Sequence, residues 1–106
     1  HNEGDRIGRA LDSLVSPGVI VSGGMAVRSI LSPRVVLHSQ SLVEDSVLMD
    51  SVTVGRGAIV RRAIIDKNVV VPDGARIGLD LEYDRQRFTV TANGIVVIGK
   101  NEIIDR

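Results

Sequence analysis

Aliphatic side chains recur at nearly regular intervals along the first three quarters of this chain. From residue 14 to residue 77 they follow one another in steps of 6, 6 and 5 residues. Three steps add up to 17 residues, so segments 14–30, 31–47 and 48–64 are predicted to stack as equivalent coils, with 65–77 beginning a fourth. The twelve positions are Leu14, Ile20, Ala26, Leu31, Leu37, Val43, Leu48, Val54, Val60, Ile65, Val71 and Ile77.

Other positions repeat with the same period. Valine recurs at residues 35, 52 and 69, and small residues recur at another phase as Gly24, Ser41, Ala58 and Ala75. Side chains alternate across a strand, so one side of each short strand can line an apolar interior. The pattern predicts triangular coils with three short strands each, stacked as parallel strands about 4.8 Å apart.

Two other architectures fail on spacing. A helix has a period of about 3.6 residues, which cannot keep an apolar residue at every sixth position. A βαβ sheet needs crossovers of a dozen or more residues, and the gaps here are far shorter. The predicted fold is therefore all-β: a parallel β-helix with about four coils of 17 residues, ending in a capping segment or hairpin.

The repeat also divides the chain. Residues 1–13 are predicted to be a linker or N-terminal cap, residues 14–78 the β-helix, and residues 79–106 a C-terminal capping and interface segment. Within the last segment, the apolar runs 88–91 and 95–98 flank Asn93-Gly94, a pair that favours a tight hairpin turn.

Composition narrows the function. Hydrophobic residues make up 43% of the chain and aromatic residues only 2%, so the core must be aliphatic. Thirteen basic and thirteen acidic residues cancel, which argues against a nucleic-acid partner. Without an apolar run of about 18 residues or a charged and apolar leader, no membrane or secretory segment is expected, and a cytoplasmic location is the default. The absence of Cys excludes disulfides and zinc-thiolate sites.

A six-residue repeat with an aliphatic residue followed by a small or polar one resembles the left-handed β-helix superfamily, which includes acyltransferases and γ-class carbonic anhydrases. The left-handed sense is implied by this resemblance alone, since general crossover rules favour right-handed connections.

A closer resemblance covers nearly the whole chain. Its motifs, in order, are Gly8, Asp12-Ser13-Leu14-Val15-Ser16 and Gly18; Val43-Glu44-Asp45-Ser46-Val47; Val54-Gly55-Arg56; residues 61–67 (RRAIIDK); Pro72-Asp73-Gly74; Ile77-Gly78; Asp84; Arg87-Phe88; and Gly94-Ile95-Val96. This series is similar to the carboxy-terminal β-helix domain of bacterial glucose-1-phosphate adenylyltransferases (ADP-glucose pyrophosphorylases).

The resemblance implies a role in a larger enzyme. That family makes ADP-glucose and pyrophosphate from ATP and glucose 1-phosphate, for glycogen biosynthesis. Catalysis, with Mg²⁺ and ATP, is expected in an N-terminal domain of the same polypeptide and absent from this chain. The chain itself is expected to hold no catalytic, cofactor or metal residue, and to serve homotetramer assembly and allosteric regulation by a sugar phosphate or nucleotide.

His38 suggests an alternative. Acyltransferases with this repeat use a His as general base, so a free-standing hexapeptide-repeat acyltransferase is the rival function, and a purely structural module is a third. The metal of the carbonic anhydrases needs three His, which this position alone cannot supply. Since residues 14–77 contain no insertion that could cover an acyl cofactor, a solvent-facing His in a turn is the favoured interpretation.

Basic residues suggest an effector site. Arg56, Arg61, Arg62, Lys67 and Arg76 outnumber Asp66 and Asp73 locally, and polar positions one coil apart stack in space. The ordinary alternative is a solvated face, or Asp66 paired with a nearby Arg. By resemblance, Lys67 and Lys100 match basic residues that contact effectors, so we expect these two, with Arg61 or Arg62, to form the β-helix side of an effector site.

Overall fold

A computed structural model describes residues 9–104 of the chain. This part contains fifteen short strands and one short helix. They are β1 (Arg9–Leu11), β2 (Leu14–Val15), β3 (Ile20–Val21), β4 (Met25–Val27), β5 (Ile30–Leu31), β6 (Val36–Leu37), β7 (Leu42–Glu44), β8 (Val47–Leu48), β9 (Thr53–Val54), β10 (Ile59–Arg61), β11 (Ala63–Ile65), β12 (Val70–Val71), β13 (Arg76–Ile77), α1 (Leu81–Arg87), β14 (Thr89–Val90) and β15 (Val96–Ile98).

The strands form three sheets. Sheet A has the order β1-β4-β7-β10-β13, sheet B the order β14-β15-β11-β8-β5-β2, and sheet C the order β12-β9-β6-β3. Through residue 77, strands that pair are three apart in sequence, so the chain visits the three sheets in turn during each coil. All of these pairs are parallel, and among the strands of residues 9–104 only β14 and β15 pair in antiparallel fashion. The predicted parallel β-helix is confirmed.

The interior is an aliphatic column along the coil axis. Ten of the twelve predicted positions, from Ala26 to Ile77, are fully buried, and so are Val35, Val52 and Val69. At the small-residue phase, a side chain on Gly24 would come within 2.5 Å of the Ser41 hydroxyl, so bulk is excluded there. Large and small positions therefore interlock from coil to coil as the repeat predicts.

The prediction was wrong for Leu14 and Ile20, which are 70% and 55% exposed. Leu14 pairs in register with Ile30, and Val15 with Leu31, so this first coil is one residue shorter than the others. A shift of one residue moves every side chain of a strand to the opposite face. Val15 and Val21 therefore occupy the interior phase, and the 17-residue spacing begins one coil later.

Each coil turns at three corners, and a left-handed backbone conformation recurs in columns along each of them. One column contains Asp12, Arg28, Asp45 and Arg62, with φ between 47° and 51°. Non-glycine residues rarely adopt this conformation, because it crowds the Cβ atom. Hydrogen bonding between coils offsets that cost: the N–H of Arg62 donates to the Glu44 carbonyl (3.0 Å), and that of Asp45 to the Val27 carbonyl (3.0 Å).

A column of serines runs beside that corner. The hydroxyl of Ser29 donates to the Val27 carbonyl (2.9 Å) and accepts the N–H of Ser46 (3.2 Å). The Ser46 hydroxyl repeats this arrangement, donating to the Glu44 carbonyl (2.7 Å) and accepting the N–H of Ala63 (3.1 Å). Both serines are buried, so these bonds satisfy backbone groups that water cannot reach.

The repeat is interrupted after Ile77. The chain forms α1, begun by the Asp80 side chain accepting the N–H of Tyr83, and then the β14–β15 hairpin that Asn93-Gly94 predicts. Strand β15 then pairs with β11 in parallel, so the chain rejoins the β-helix. The helix was not predicted, because this segment lies outside the repeat and its helical signals are only capping and charge. Among the described residues, no helix is long and apolar enough to span a membrane.

Each of the two predicted outer segments contributes a strand to a sheet of the β-helix. Strand β1 belongs to the segment 1–13 and pairs with β4, whereas β15 belongs to the segment 79–106 and pairs with β11. Residues 1–8 and 105–106 lie outside the described residues. The division into three segments stays a prediction.

Helix α1 is held against the β-helix by a buried carboxylate. Asp84 is 1% exposed, accepts the N–H of Gly78 (2.9 Å) and pairs with the Arg87 guanidinium (3.3 Å). Gly78 has a φ of +88°, and a Cβ there would lie 1.8 Å from the Arg61 carbonyl oxygen. This tight passage therefore requires glycine, and it fixes where the chain leaves the repeat.

Replacing a serine of the column tests its contribution. Ser46→Ala removes the acceptor for the Ala63 N–H, which leaves this buried donor unpaired, whereas the Glu44 carbonyl keeps its bond from the Arg62 N–H. We expect the free energy of unfolding to fall by about 1–3 kcal/mol, measured by urea unfolding followed by circular dichroism. Ser39→Ala is the matched control, since within the described residues the Ser39 hydroxyl makes a single long bond, to the Ser22 carbonyl (3.4 Å). Equal stability of the two variants would contradict a stabilising role for the column.

Candidate functional site

Lys67 and Lys100 occupy equivalent positions on adjacent coils. The register pairs Ile65 with Ile98, and beyond the strands the N–H of Asn101 donates to the Lys67 carbonyl (2.9 Å). The register offset in these strands is 33 residues, and the same offset relates Lys67 to Lys100. The corner bond spans one residue more, as does the equivalent bond one coil earlier, from the N–H of Asn68 to the Asp50 carbonyl (3.1 Å). Adjacent strands lie about 4.8 Å apart, so the two lysines stack at one corner although they are distant in sequence.

Both lysines at this corner are exposed. The Lys67 ammonium lies 3.7 Å from the Asp66 carboxylate, which also accepts the backbone N–H of Lys67 (2.7 Å). The Lys67 side chain remains 53% exposed, and an exposed pair of this kind contributes at most about 1 kcal/mol. The ammonium can therefore exchange this partner for an anion. The ion pair of Asp66 is with Lys67, not with a nearby Arg as the ordinary alternative had it.

Arg61 and Arg62 lie at the preceding corner, at the other end of β11. The three residues of β11 separate the two corners by roughly 10 Å. The Arg61 guanidinium is 3.6 Å from the Glu44 carboxylate, and Arg62 donates to the Asn93 carbonyl (2.7 Å). The structure thus brings Lys67 and Lys100 together and places both arginines one sheet width away, with partners of their own.

The corner of Arg62 carries charges of alternating sign. Going up the column, these are Asp12, Arg28, Asp45 and Arg62. Arg28 makes two bonds to Asp45, from Nε to Oδ1 (2.7 Å) and from Nη2 to Oδ2 (3.1 Å). The hydrogen bond from Arg28 lowers the pKa of the Asp45 carboxyl below its ordinary value, and the same bond raises the pKa of Arg28. This column was not predicted from the sequence, although Arg28, Asp45 and Arg62 recur at the 17-residue period of the repeat.

His38 lies exposed at the third corner. With Ser39, Arg56 and Asp73 it lines an open concavity of about 310 Å³. The backbone carbonyl of His38 accepts the Ser41 hydroxyl (2.7 Å). Between the next two coils, the Asp73 carboxylate accepts the N–H of Arg56 (2.8 Å). Within residues 9–104, no group of three or more His, Cys, Asp and Glu side chains could hold a metal ion.

The stacked parallel sheets define a class, the hexapeptide-repeat β-helix proteins. The match to known families is more specific: the family described as GlmU-like, C-terminal hexapeptide covers residues 1–98, and the chain belongs to it.

Curated relatives extend this result. The chain is 53% identical over 106 residues to a glucose-1-phosphate adenylyltransferase of Bifidobacterium longum (strain DJO10A), covering 99% of this chain and 26% of that protein. It is 58% identical over 95 residues to the enzyme of the same name from Anaeromyxobacter sp. (strain Fw109-5), covering 90% of this chain and 23% of that protein. The chain therefore spans about a quarter of the length of these relatives. The resemblance predicted from the sequence motifs is confirmed.

The pairing of Arg28 with Asp45 can be tested by titration. Arg28→Gln removes the hydrogen bond and the charge that favour the Asp45 carboxylate, so we expect the pKa of Asp45 to rise, measured by ¹³C NMR of the carboxyl carbon. Because its pKa in the folded chain is lowered, Asp45 stabilises the fold above the unfolded-chain pKa of about 4. That contribution is lost as the pH falls through the folded-state pKa.

The control for this titration is Arg34→Gln, which removes a similar exposed pair, between Arg34 and Asp50, at a different corner. It should leave the titration of Asp45 unchanged. A pKa of Asp45 that did not respond to Arg28→Gln would show that the paired geometry is not kept in solution.

Proposed function

We propose that this chain is the oligomerisation and allosteric-regulatory domain of a glucose-1-phosphate adenylyltransferase, a cytoplasmic enzyme that forms ADP-glucose and pyrophosphate for glycogen biosynthesis. The observation that carries the proposal is sequence identity of 53% across essentially the whole chain. The aligned region includes the coils and the segment with α1 and the hairpin, and 53% of 106 positions is more than the buried aliphatic positions alone could supply.

Catalysis belongs, in this proposal, to an N-terminal domain of the same polypeptide. Phosphoryl chemistry of this kind uses Mg²⁺ held by carboxylates and phosphate oxygens. Residues 9–104 provide no cluster of metal-ligating side chains, so we assign Mg²⁺ and ATP to the catalytic domain. The work of this chain is then assembly and control.

The corner of Lys67 and Lys100 is the part of the chain best suited to a phosphorylated effector. Two ammonium groups on adjacent coils can converge on one phosphate and make charge-assisted hydrogen bonds with it. A sugar phosphate or a nucleotide presents such a group. Arg61 or Arg62 could add a contact only to an effector long enough to reach across sheet B.

Aliphatic side chains on the outer faces support a role in assembly. The outward column of sheet B includes Leu14, Ile30 and Ile64, which are 70%, 44% and 36% exposed. On sheet C, the outward Val70 pairs in register with Ile103, and these are 61% and 87% exposed. Contiguous apolar surface of this kind marks contacts with other protein surfaces. We propose that the catalytic domain and neighbouring subunits of a homotetramer cover it.

Substitution of both lysines tests the effector site. In the complete adenylyltransferase, Lys67→Ala combined with Lys100→Ala removes two charge-assisted contacts, so the half-saturating effector concentration should rise about tenfold or more. The measurement is pyrophosphate release during titration with a panel of sugar phosphates, sugar bisphosphates and nucleoside monophosphates.

The matched control is Arg85→Ala on α1, which also removes an exposed cation, one paired with Glu82. It should respond to effectors as the unchanged enzyme does. If the double lysine variant kept its effector response, the assignment of Lys67 and Lys100 would have to be abandoned. A complete polypeptide without adenylyltransferase activity would instead overturn the family function.

A further inference from the structure

Where the chain leaves the repeat, α1 and the last complete coil border a cavity of about 370 Å³ that is open to solvent on one side. This volume lies within the range of small-molecule sites, about 300–1,000 Å³. The cavity is separate from the corner of Lys67 and Lys100. Its lining comes from the turn and strand at 74–76, from the segment that leads into α1, and from α1 itself; it consists of Gly74, Ala75, Arg76, Leu79, Asp80, Tyr83 and Arg87.

One wall of this cavity is held by several contacts of Arg87. The Arg87 guanidinium lies 4.1 Å from the centre of the Tyr83 ring and 4.6 Å from the centre of the Phe88 ring. It is also paired with buried Asp84 and donates to the Arg76 carbonyl (3.4 Å). These contacts fix the Tyr83 ring from one side, so a ligand need not order that side chain on binding.

The same cavity offers apolar surface. Leu79 and Tyr83 are 41% and 42% exposed although both are large and hydrophobic or aromatic. Leu79 lies in the segment that leads into α1, and Tyr83 lies in the first turn of α1. An apolar ring placed between them would remove this surface from water, which is favourable in proportion to the area covered.

Arg76 is the cation of the cavity that can hold an anion. The charge of the Arg87 guanidinium is balanced by Asp84, whereas the Asp80 carboxylate accepts the N–H of Tyr83 (3.2 Å) and keeps its negative charge. Arg76 is exposed and, within residues 9–104, its guanidinium makes no ion pair. Guanidinium groups bind phosphate and carboxylate through two parallel hydrogen bonds, so Arg76 is suited to an anionic group at the mouth of the cavity.

We propose that this cavity binds a small anion carrying an apolar ring, with its phosphate or carboxylate on Arg76 and its ring against Leu79 and Tyr83. The ligand differs in kind from the phosphorylated effector of the lysine corner, because the ring supplies part of the affinity. The two sites use different residues and can be tested independently.

The chain provides its own probe of this cavity. It contains one Tyr and no Trp, so its intrinsic fluorescence reports on Tyr83 alone. Cyclohexyl phosphate does not absorb light at the wavelengths that excite tyrosine, so it can be titrated without interfering with this emission. We expect it to change the Tyr83 emission. We also expect it to bind the 106-residue chain more tightly than inorganic phosphate or cyclohexanol does. Arg76→Gln should raise the dissociation constant of cyclohexyl phosphate about tenfold. Leu79→Ser should weaken the binding of cyclohexyl phosphate without weakening the binding of inorganic phosphate.

Two controls separate this site from others. The first control is Arg56→Gln, which removes an exposed cation at the corner of His38. The second is the double variant Lys67→Ala, Lys100→Ala. Both should leave the dissociation constant of cyclohexyl phosphate unchanged, and circular dichroism checks that both are folded. An unchanged constant for Arg76→Gln, or equal affinity for inorganic and cyclohexyl phosphate, would overturn the proposal. Loss of cyclohexyl phosphate binding in the double lysine variant would also overturn it. The effector proposal is tested separately, by the effector response of the complete enzyme.

Discussion

The register between coils is the constraint on which this structure depends. A single coil has no core of its own, and its interior side chains are buried only if the next coil presents matching positions. A slip of one residue would turn the aliphatic column outward. Three sets of contacts fix the register: the interior column centred on Leu48 and Val54, the buried serines Ser29 and Ser46, and the corner N–H groups that donate to the preceding coil. These contacts all act between coils, so the fold is stabilised along its axis at every level.

The same register arranges the charged surface. It brings Lys67 beside Lys100 across an interruption of the repeat, and it alternates charge along the corner of Arg28 and Asp45. The interruption itself produces the second feature of interest. The chain leaves the last complete coil at Gly78, forms α1 and rejoins the β-helix at β15. Helix α1 therefore lies against that coil and borders a cavity that a continuous β-helix would lack. Regularity thus places the lysines, and departure from regularity creates the cavity.

Most of the fold could be predicted from the sequence because each interior position is repeated several times, so an error at one coil is corrected by the others. That protection fails at the first coil. Both Leu14 and Val15, and both Ile20 and Val21, are aliphatic, so the pattern offered two phases and only the shorter first coil decides between them. Helix α1 was missed for a different reason: seven residues with a capping Asp80 give too few apolar positions for a helical period to be detected.

The candidate site was less predictable, because distance in sequence is a poor guide to distance in a β-helix. Residues 17 positions apart touch on adjacent coils, whereas residues five apart lie on different corners. Resemblance supplied Lys67 and Lys100, and the register explains why they lie side by side. Arg62 precedes Lys67 by only five residues, yet it belongs to the column of Arg28 and Asp45 and is bonded to the hairpin. In the proposed effector site, a ligand that contacted both corners would have to span sheet B. The length of the ligand, rather than its charge, would then decide whether the arginines contact it.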